Sequence, residues 1–329
     1  MSRLAAPPDT ATWCLGMPFP GSLNRISYQE HNRGTNPLRP HEIRVEVRAA
    51  ALNFRDLLTA VGRIPPAAGS LTLGFEGAGV VTETGCAVAG FGVGDRVFGL
   101  LPAAFSRFSV TDHRHVAEVP STLSFPVAAT LAVAFLTAWH TLVDVAGIRA
   151  GQRVLVHASA GGVGTAAVQL ARLCGAEVYG TAHPAKWHRL AQLGLAANRL
   201  SSSRDPSFAR RLSAQLGSAP LDVVLNCLTG RFVDASLDLL GPGGTFVEIG
   251  KTDVRSATGR PDVRYRVADI DDLGPRTGEI LGLVTDHIER GELTPLPFTE
   301  FAVEEARKAF RLMASAGHFG KIVLALPSH

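Results

Sequence analysis

Apolar and polar residues alternate from Glu42 onward, with Ile43, Val45, Val47 and Ala49 on one side and Arg44, Glu46 and Arg48 on the other. A period of two is that of a strand with one buried face. Shorter runs of similar character follow at Gly79-Val80-Val81-Thr82-Glu83-Thr84, Asp95-Arg96-Val97-Phe98-Gly99 and Ser106-Arg107-Phe108-Ser109-Val110, separated by Gly-rich turns. Residues 40–120 are thereby predicted to form a β-rich, barrel-like domain. Ahead of it, residues 1–40 are rich in Pro, Asn and Gly and weakly periodic, which predicts a loose lead-in with one or two short strands.

Pro120 to Pro126 reads as a connector and Val127 to Val145 as a largely apolar helix. Strands then alternate with helices. Arg153-Val154-Leu155-Val156-His157 is a short apolar run of the kind buried on both faces of a parallel sheet, and Val163 to Leu173 repeats apolar residues at helical spacing. Further strands are predicted at Glu177 to Thr181, Leu221 to Asn226, Gly244 to Ile249 and Val263 to Val267. That order is the order of an α/β fold with a doubly wound parallel sheet, the Rossmann arrangement. A helix is predicted from Pro275 to about Glu289, and a last strand, Lys321 to Leu326, returns to the first domain. The expected division is residues 1–125 with 271–329 for the β-rich domain, and 126–270 for the second.

Gly161, Gly162 and Gly164, around Val163, fill the turn between the first strand of the second domain and its helix. Glycines there allow a tight bend, let backbone N–H groups approach a pyrophosphate, and aim the positive end of the helix dipole at it. An ordinary turn is the competing reading of such a triplet. The strand before, the helix after and the second strand beyond favour a dinucleotide site.

At 329 residues the chain suits two domains, and 46% hydrophobic with 19% charged residues describes a compact protein. The formal charge of +3 is too small and too scattered to argue for nucleic acid. No apolar run is read as long enough to span a membrane, and Met1 to Pro8 lacks the apolar centre of a signal peptide, so a cytoplasmic location is expected. Cys14, Cys86, Cys174 and Cys227 stand far apart in no paired spacing, which points to reduced thiols rather than a disulfide framework or a zinc cluster.

Six separate stretches follow one another in the chain: Ala51-Leu52-Asn53-Phe54-Arg55-Asp56, Phe135-Leu136-Thr137-Ala138-Trp139, His157 to Leu170, Leu225-Asn226-Cys227-Leu228, Glu248-Ile249-Gly250-Lys251-Thr252-Asp253 and His318-Phe319-Gly320-Lys321. In this order they resemble the enoyl reductase domains of modular polyketide synthases and animal-type fatty acid synthases. These domains form a zinc-free, quinone-reductase-like branch of the medium-chain dehydrogenase/reductase superfamily. The resemblance covers roughly residues 40–326. It implies a GroES-like substrate-binding domain, a Rossmann domain for NADPH, and reduction of an enoyl thioester carried on the phosphopantetheine arm of an acyl carrier protein beside other synthase domains. A quinone or small-enone reductase of the same fold and a non-catalytic NADPH-binding protein remain as alternatives.

Zinc-dependent members of the superfamily place Cys and His ligands near the positions of Asn53 and Phe75. Here neither residue type is present, so no metal is expected. The second strand leads into Thr181-Ala182-His183-Pro184-Ala185-Lys186, without the acid that bonds the ribose of NAD. Lys186, with Ser203 and Arg204 after the next segment, can instead meet a 2′-phosphate, although solvated surface charge is the bland alternative.

By resemblance, Lys251 and Asp269 match the family's proposed proton-donating pair. Contact of Lys251 with ribose or phosphate, and a strand-end cap at Asp269, compete with that assignment. Many such domains carry a Tyr in the segment after Asn-Phe-Arg-Asp, and that Tyr correlates with one configuration at a 2-methyl branch. Ile64 stands there in this chain and cannot donate a proton, which leaves either water or the Lys251 and Asp269 pair as proton source. Asn53 and Arg55 are expected near the substrate, with an Arg55–Asp56 ion pair as the structural alternative. Thr137, Asn226, Leu228, Ile249, Gly250, Gly320 and Lys321 are expected to contact cofactor. For Thr137 the alternative is a bond to its own helix, and for Lys321, as for His318, surface exposure. Trp139, Trp187 and His157 are read as packing residues.

Overall fold

The computed structural model describes residues 3–5, 7, 13–31, 34–65, 72–256 and 259–327. In chain order its elements are β1 (Trp13–Gly16), β2 (Ser27–Glu30), β3 (Glu42–Ala51), α1 (Phe54–Ala60), β4 (Glu76–Thr84), β5 (Arg96–Leu100), β6 (Phe108–Asp112), β7 (Val116–Glu118), α2 (Phe125–Ala128) and α3 (Ala132–Trp139). There follow β8 (Arg153–Val156), α4 (Gly162–Leu173), β9 (Glu177–Ala182), α5 (Trp187–Gln192), β10 (Leu200–Ser202), α6 (Phe208–Leu216), β11 (Leu221–Asn226), α7 (Arg231–Leu237), β12 (Leu240–Glu248), β13 (Arg264–Val267), α8 (Arg276–Glu289), β14 (Phe298–Ala302), α9 (Ala306–Ala314) and β15 (Lys321–Ala325). Two compact units result, one of Met1–Val133, Gly274–Gly291 and Pro295–His329, the other of Ala134–Leu273 and Glu292–Thr294.

The first unit is built on a seven-stranded sheet in the order β14-β15-β3-β4-β5-β7, with β6 also paired to β3. The alternation that predicts β3 is visible in its burial, since Ile43, Val45 and Val47 are at most 1% exposed. Strand β4 starts earlier than its sequence suggests, at Glu76. Gly79 permits the close pairing, because a Cβ there would lie 2.1 Å from the Glu46 carbonyl oxygen. Strand β6 begins two residues later than expected, because the Ser106 hydroxyl sits 2.6 and 2.7 Å from the Ala103 and Phe108 carbonyls and closes a turn there. Helix α9 buries Ala306, Ala309, Phe310 and Met313 on one face. Its Phe310 meets Phe105 edge to face at 6.2 Å, and a Phe310→Ala cavity would cost about 3–5 kcal/mol. Strands β1 and β2 pair antiparallel in the lead-in.

The second unit holds a six-stranded, wholly parallel sheet in the order β10-β9-β8-β11-β12-β13. Its order reverses between β8 and β11, and such a reversal leaves a crevice beyond the carboxyl ends of the strands. Val154, Leu155, Val156, Val223, Val224 and Leu225 are all at most 2% exposed, which is why these two strands read as unbroken apolar runs. Phe208 of α6 packs against His157 and Phe232 and extends this core.

One expectation is corrected. The stretch Phe125–Val145 is long and apolar enough to cross a membrane by length and composition, but 72% of it is buried inside the protein, which makes it core. It is also broken. Helices α2 and α3 are separate, and a π-helical turn, His140–Val145, follows α3.

Candidate active site

Strand β8 hands the chain to α4 through a strained turn. Ala158 takes a left-handed φ of 49°, which costs a residue with a Cβ, and its carbonyl accepts the Gly161 N–H at 2.9 Å. A Cβ on Gly164 would fall 2.3 Å from that same carbonyl oxygen, so glycine is the residue that lets the helix start so close to the strand. Gly162 opens the 12-residue α4, with Val163 in its first turn. Unpaired N–H groups and the positive dipole end are thereby set at the carboxyl edge of the sheet, a donor set that fits a pyrophosphate.

Cations stand at the ends of β9 and β10. The Ser203 N–H donates to the Ala182 carbonyl at 3.2 Å and brings the two strand exits together. Burial holds the half-buried Lys186 ammonium below its ordinary pKa, and the Arg204 and Arg189 charges lower it further. Three positive groups are thus gathered beyond the strands, and that gathering favours an anion. The Trp187 indole donates to Ala182 O at 3.1 Å, so it supports this corner as the packing residue expected.

The ends of β11 and β12 carry the second group of predicted residues. The Ile249 N–H donates to Asn226 O at 2.9 Å, joining the two strand exits, and Asn226 bonds Leu228 through both its amide atoms. Gly250 and Lys251 follow. Lys251 Nζ donates to an Asp269 carboxylate oxygen, and the other oxygen accepts the Asp271 N–H at 3.2 Å. Asp269 thus contacts the lysine and also caps the turn beyond β13. The pair is 34% and 31% exposed, so it can exchange protons with water. Thr137 lies half-buried in α3, and its carbonyl accepts the Thr141 hydroxyl at 2.6 Å.

In the first unit the structure redirects several expectations. Lys321 is not a surface residue: it is 5% exposed, and Nζ donates to Glu76 Oε1 at 2.6 Å, Asn53 Oδ1 at 2.8 Å and Leu52 O at 3.0 Å. Its three N–H groups are thereby occupied. Asn53 is buried as well, its amide nitrogen donating to Glu76 Oε1 at 3.0 Å. Gly320 has a positive φ of 71°, and a Cβ there would lie 1.9 Å from Pro297 O, so packing alone demands this glycine. The Asp56 carboxylate turns inward and accepts the Asn53 and Gly74 N–H groups at 2.8 Å each, while the Arg55 guanidinium lies over the Phe75 ring, 5.0 Å from its centroid. Ile64 is half-buried.

Phe75 thus faces a cation from its own unit. Among the described residues no group of three or more His, Cys, Asp and Glu is arranged to hold a metal ion.

Comparison with known proteins then bears on the family. An alcohol dehydrogenase GroES-like domain model matches residues 39–134, and a zinc-binding dehydrogenase model matches residues 195–324. The spectinabilin polyketide synthase system protein NorB of Streptomyces orinoci is 48% identical over 98% of this chain, which spans 15% of that protein. The crystal structure of CurK enoyl reductase superposes with a TM-score of 0.89 at 37% identity, over 97% of this chain and 100% of that one. The chain belongs to the enoyl reductases of polyketide synthases. The CurF ER cyclopropanase from the curacin A biosynthetic pathway matches with the same TM-score at 32% identity, over 97% and 100% of the two chains. An Escherichia coli quinone oxidoreductase complexed with NADPH matches at 25% identity and a TM-score of 0.84, over 95% and 99%. Membership in this family makes the chain an oxidoreductase of the medium-chain dehydrogenase/reductase type, with a GroES-like and a Rossmann-like domain. The chain spans between 6% and 20% of the length of the curated relatives it matches.

Three buried acids are given no site role by the sequence, although Asp56 and Glu248 stand within the six stretches that carry the resemblance. Glu76 is 0% exposed and also accepts the Val133 N–H at 2.7 Å, Asp56 caps α1, and Glu248 ends β12 with 1% exposure. For Glu248 a signal exists, since an acid closes the otherwise apolar run Phe246-Val247.

Proposed function

We propose that this enoyl reductase family member uses NADPH to saturate the α,β double bond of an enoyl thioester held on an acyl carrier protein, within a polyketide synthase and in the cytoplasm. The observation that carries the proposal is the Lys251–Asp269 contact beyond β12 and β13, one loop away from Asn226 and Gly250. NADPH, when bound, supplies the hydride for the β-carbon. The residues that would hold it are the Gly161–Gly164 turn for the pyrophosphate, Lys186, Ser203 and Arg204 for the 2′-phosphate, and Asn226, Leu228, Ile249 and Gly250 for the nicotinamide half, with Thr137 beside them.

Hydride addition leaves enolate charge on the thioester oxygen, and a cation or donor nearby lowers that barrier. Lys251 meets this need and gives the α-carbon its proton, with Asp269 orienting the ammonium and sharing its exchange with water. Ile64 supplies no proton on the face where relatives carry Tyr, so a 2-methyl enoyl substrate is expected to give the configuration of the Tyr-lacking group. Chiral analysis of the reduced 2-methyl thioester checks this, and the opposite configuration contradicts it. The overall test is turnover of NADPH with crotonyl pantetheine set beside a simple quinone. Efficient use of the quinone alone would favour the quinone-reductase alternative, and nucleotide binding without turnover of either would favour a non-catalytic role.

A further inference from the structure

Glu248 places a carboxylate where the sheet has no structural need of one, buried at the end of a strand whose Phe246 and Val247 are 0% exposed. Three donors converge on it. The Gly250 N–H donates to Oε1 at 2.6 Å, the Asn226 side-chain amide donates to Oε2 at 2.6 Å, and the Tyr265 hydroxyl of β13 also hydrogen-bonds to it. Burial pushes this carboxyl up to about 7, with the Asp253 charge adding to the rise, and the bonds from Asn226, Gly250 and Tyr265 oppose it. Gly250 is fitted to the contact, since a Cβ there would lie 2.7 Å from Oε1.

Each donor belongs to a different segment. Asn226 governs the exit of β11, because its Oδ1 accepts the Leu228 N–H at 3.2 Å and its Nδ2 donates to Leu228 O at 2.9 Å. Gly250 precedes Lys251. The Tyr265 hydroxyl in turn accepts the Arg255 N–H at 3.2 Å, and the Gly230 N–H donates to Asp253 at 2.6 Å. The segment from Ile249 to Arg255 is therefore gripped on both sides of Lys251, directly at Gly250 and through Tyr265 at Arg255. Only a carboxylate accepts on both oxygens. An amide in its place turns N–H groups toward one of the donors, and a buried donor left unpaired is costly.

We propose that Glu248 is a positioning residue, whose buried carboxylate locks the Asn226–Leu228 and Ile249–Arg255 loops into one geometry and so places Lys251 and the groups that meet the nicotinamide half of the cofactor. The cofactor side of this inference rests on the NADPH-dependent function proposed above. The locking of the loops does not.

The test compares wild type, E248Q and the swapped pair E248Q/N226D. In the swap the amide introduced at 248 donates to the carboxylate introduced at 226, which restores the donor and acceptor order between β11 and β12. Two quantities are read: backbone hydrogen exchange over residues 249–255 in the cofactor-free protein, and kinetics with NADPH and crotonyl pantetheine. E248Q is expected to speed exchange in 249–255 but not in β8 and β9, to raise the KM for NADPH about tenfold, and to lower kcat while the thioester KM stays near the wild-type value. The swapped pair recovers slow exchange over 249–255, while its kinetics stay below wild type, because the carboxylate introduced at 226 cannot donate to Leu228 O and adds charge beside the nicotinamide half. Wild-type exchange and kinetics in E248Q would overturn the proposal, as would faster exchange across the whole sheet with no recovery in the swap, the mark of a merely structural acid. If wild type itself fails to bind NADPH, the proposed cofactor is wrong, and exchange in 249–255 still decides whether Glu248 locks the loops.

Discussion

On the function proposed above, Lys251 carries the most specific chemistry at the scale of single residues. Substituting Lys251→Ala removes the ammonium while leaving the glycine turn and the Lys186 corner intact. The expected outcome is a fall in kcat with crotonyl pantetheine of about a hundredfold or more, with NADPH affinity by fluorescence nearly unchanged. Cofactor choice rests elsewhere. Replacing both Lys186 and Arg204 by Ala is expected to raise the KM for NADPH by about ten- to a hundredfold and to leave that for NADH almost unmoved, since only the 2′-phosphate meets those charges. These residues are legible in the sequence because each lies in a motif or at a fixed place after a strand. The roles of Glu76, Asp56 and Glu248 are not, because a buried acid's full set of partners includes residues far along the chain, as Lys321 is for Glu76, Gly74 for Asp56 and Asn226 for Glu248. The same distance explains why Lys321 and Asn53, read as cofactor and substrate contacts, turn out to bond each other inside the first unit.

At the scale of elements, two polar knots hold strands and helices in register. Lys321 joins the start of β15 to the end of β3 and the start of β4, with Glu76 reaching on to Val133. Removing one partner of a buried ion pair leaves the other charge uncompensated. Lys321→Met is expected to lower unfolding stability by about 3–5 kcal/mol, read from a urea midpoint.

The second knot is His157, which lies 2.9 Å from the Thr181 hydroxyl and 2.8 Å from the Ser236 hydroxyl. Ser236 spends its own proton on Phe232 O, so Nε2 carries the imidazole proton and Nδ1 accepts from Thr181. Burial drives its pKa from 6.5 down to about 3. The folded state therefore keeps His157 neutral where the unfolded chain takes up a proton. Its contribution to stability is complete above pH 6.5 and is lost as pH falls from there toward 3, by about 1.4 kcal/mol per unit. Asp56, raised to about 6, and Glu248, raised to about 7, act in the opposite sense over the upper part of that window, because burial favours their protonated forms. The difference in melting temperature between wild type and His157→Gln isolates the histidine, and it is expected to shrink as pH falls below 6.5. A constant difference down to pH 4 would contradict the assignment.

Five of the six strands of the parallel sheet were legible, because burial on both faces writes an unbroken apolar run such as Val154 to Val156, but β12 starts four residues earlier than expected and the three-residue β10 carries no such run. Helices α1 and α9 were not legible, since α1 is short and its Asn53 N-cap is completed from within the helix by the Asp56 carboxylate, which also accepts from Gly74. The long apolar stretch from Phe125 hid the break between α2 and α3 and the π-helical turn, which composition cannot express.

Over the whole molecule, one unit carries the glycine turn and the Lys251–Asp269 pair, and the other carries the Glu76–Lys321 knot. Family membership makes the chain an oxidoreductase, and it spans between 6% and 20% of the length of the curated relatives it matches. The central claim is that this chemistry is NADPH-dependent reduction of a pantetheine-bound enoyl thioester. The direct measurement is loss of nicotinamide absorbance with crotonyl pantetheine, NADPH and the purified chain, run beside NADH and a quinone, with butyryl pantetheine identified as the product. Turnover that needs NADPH and the thioester is the predicted result. Consumption of NADPH with the quinone alone, or equal rates with NADH, would contradict it.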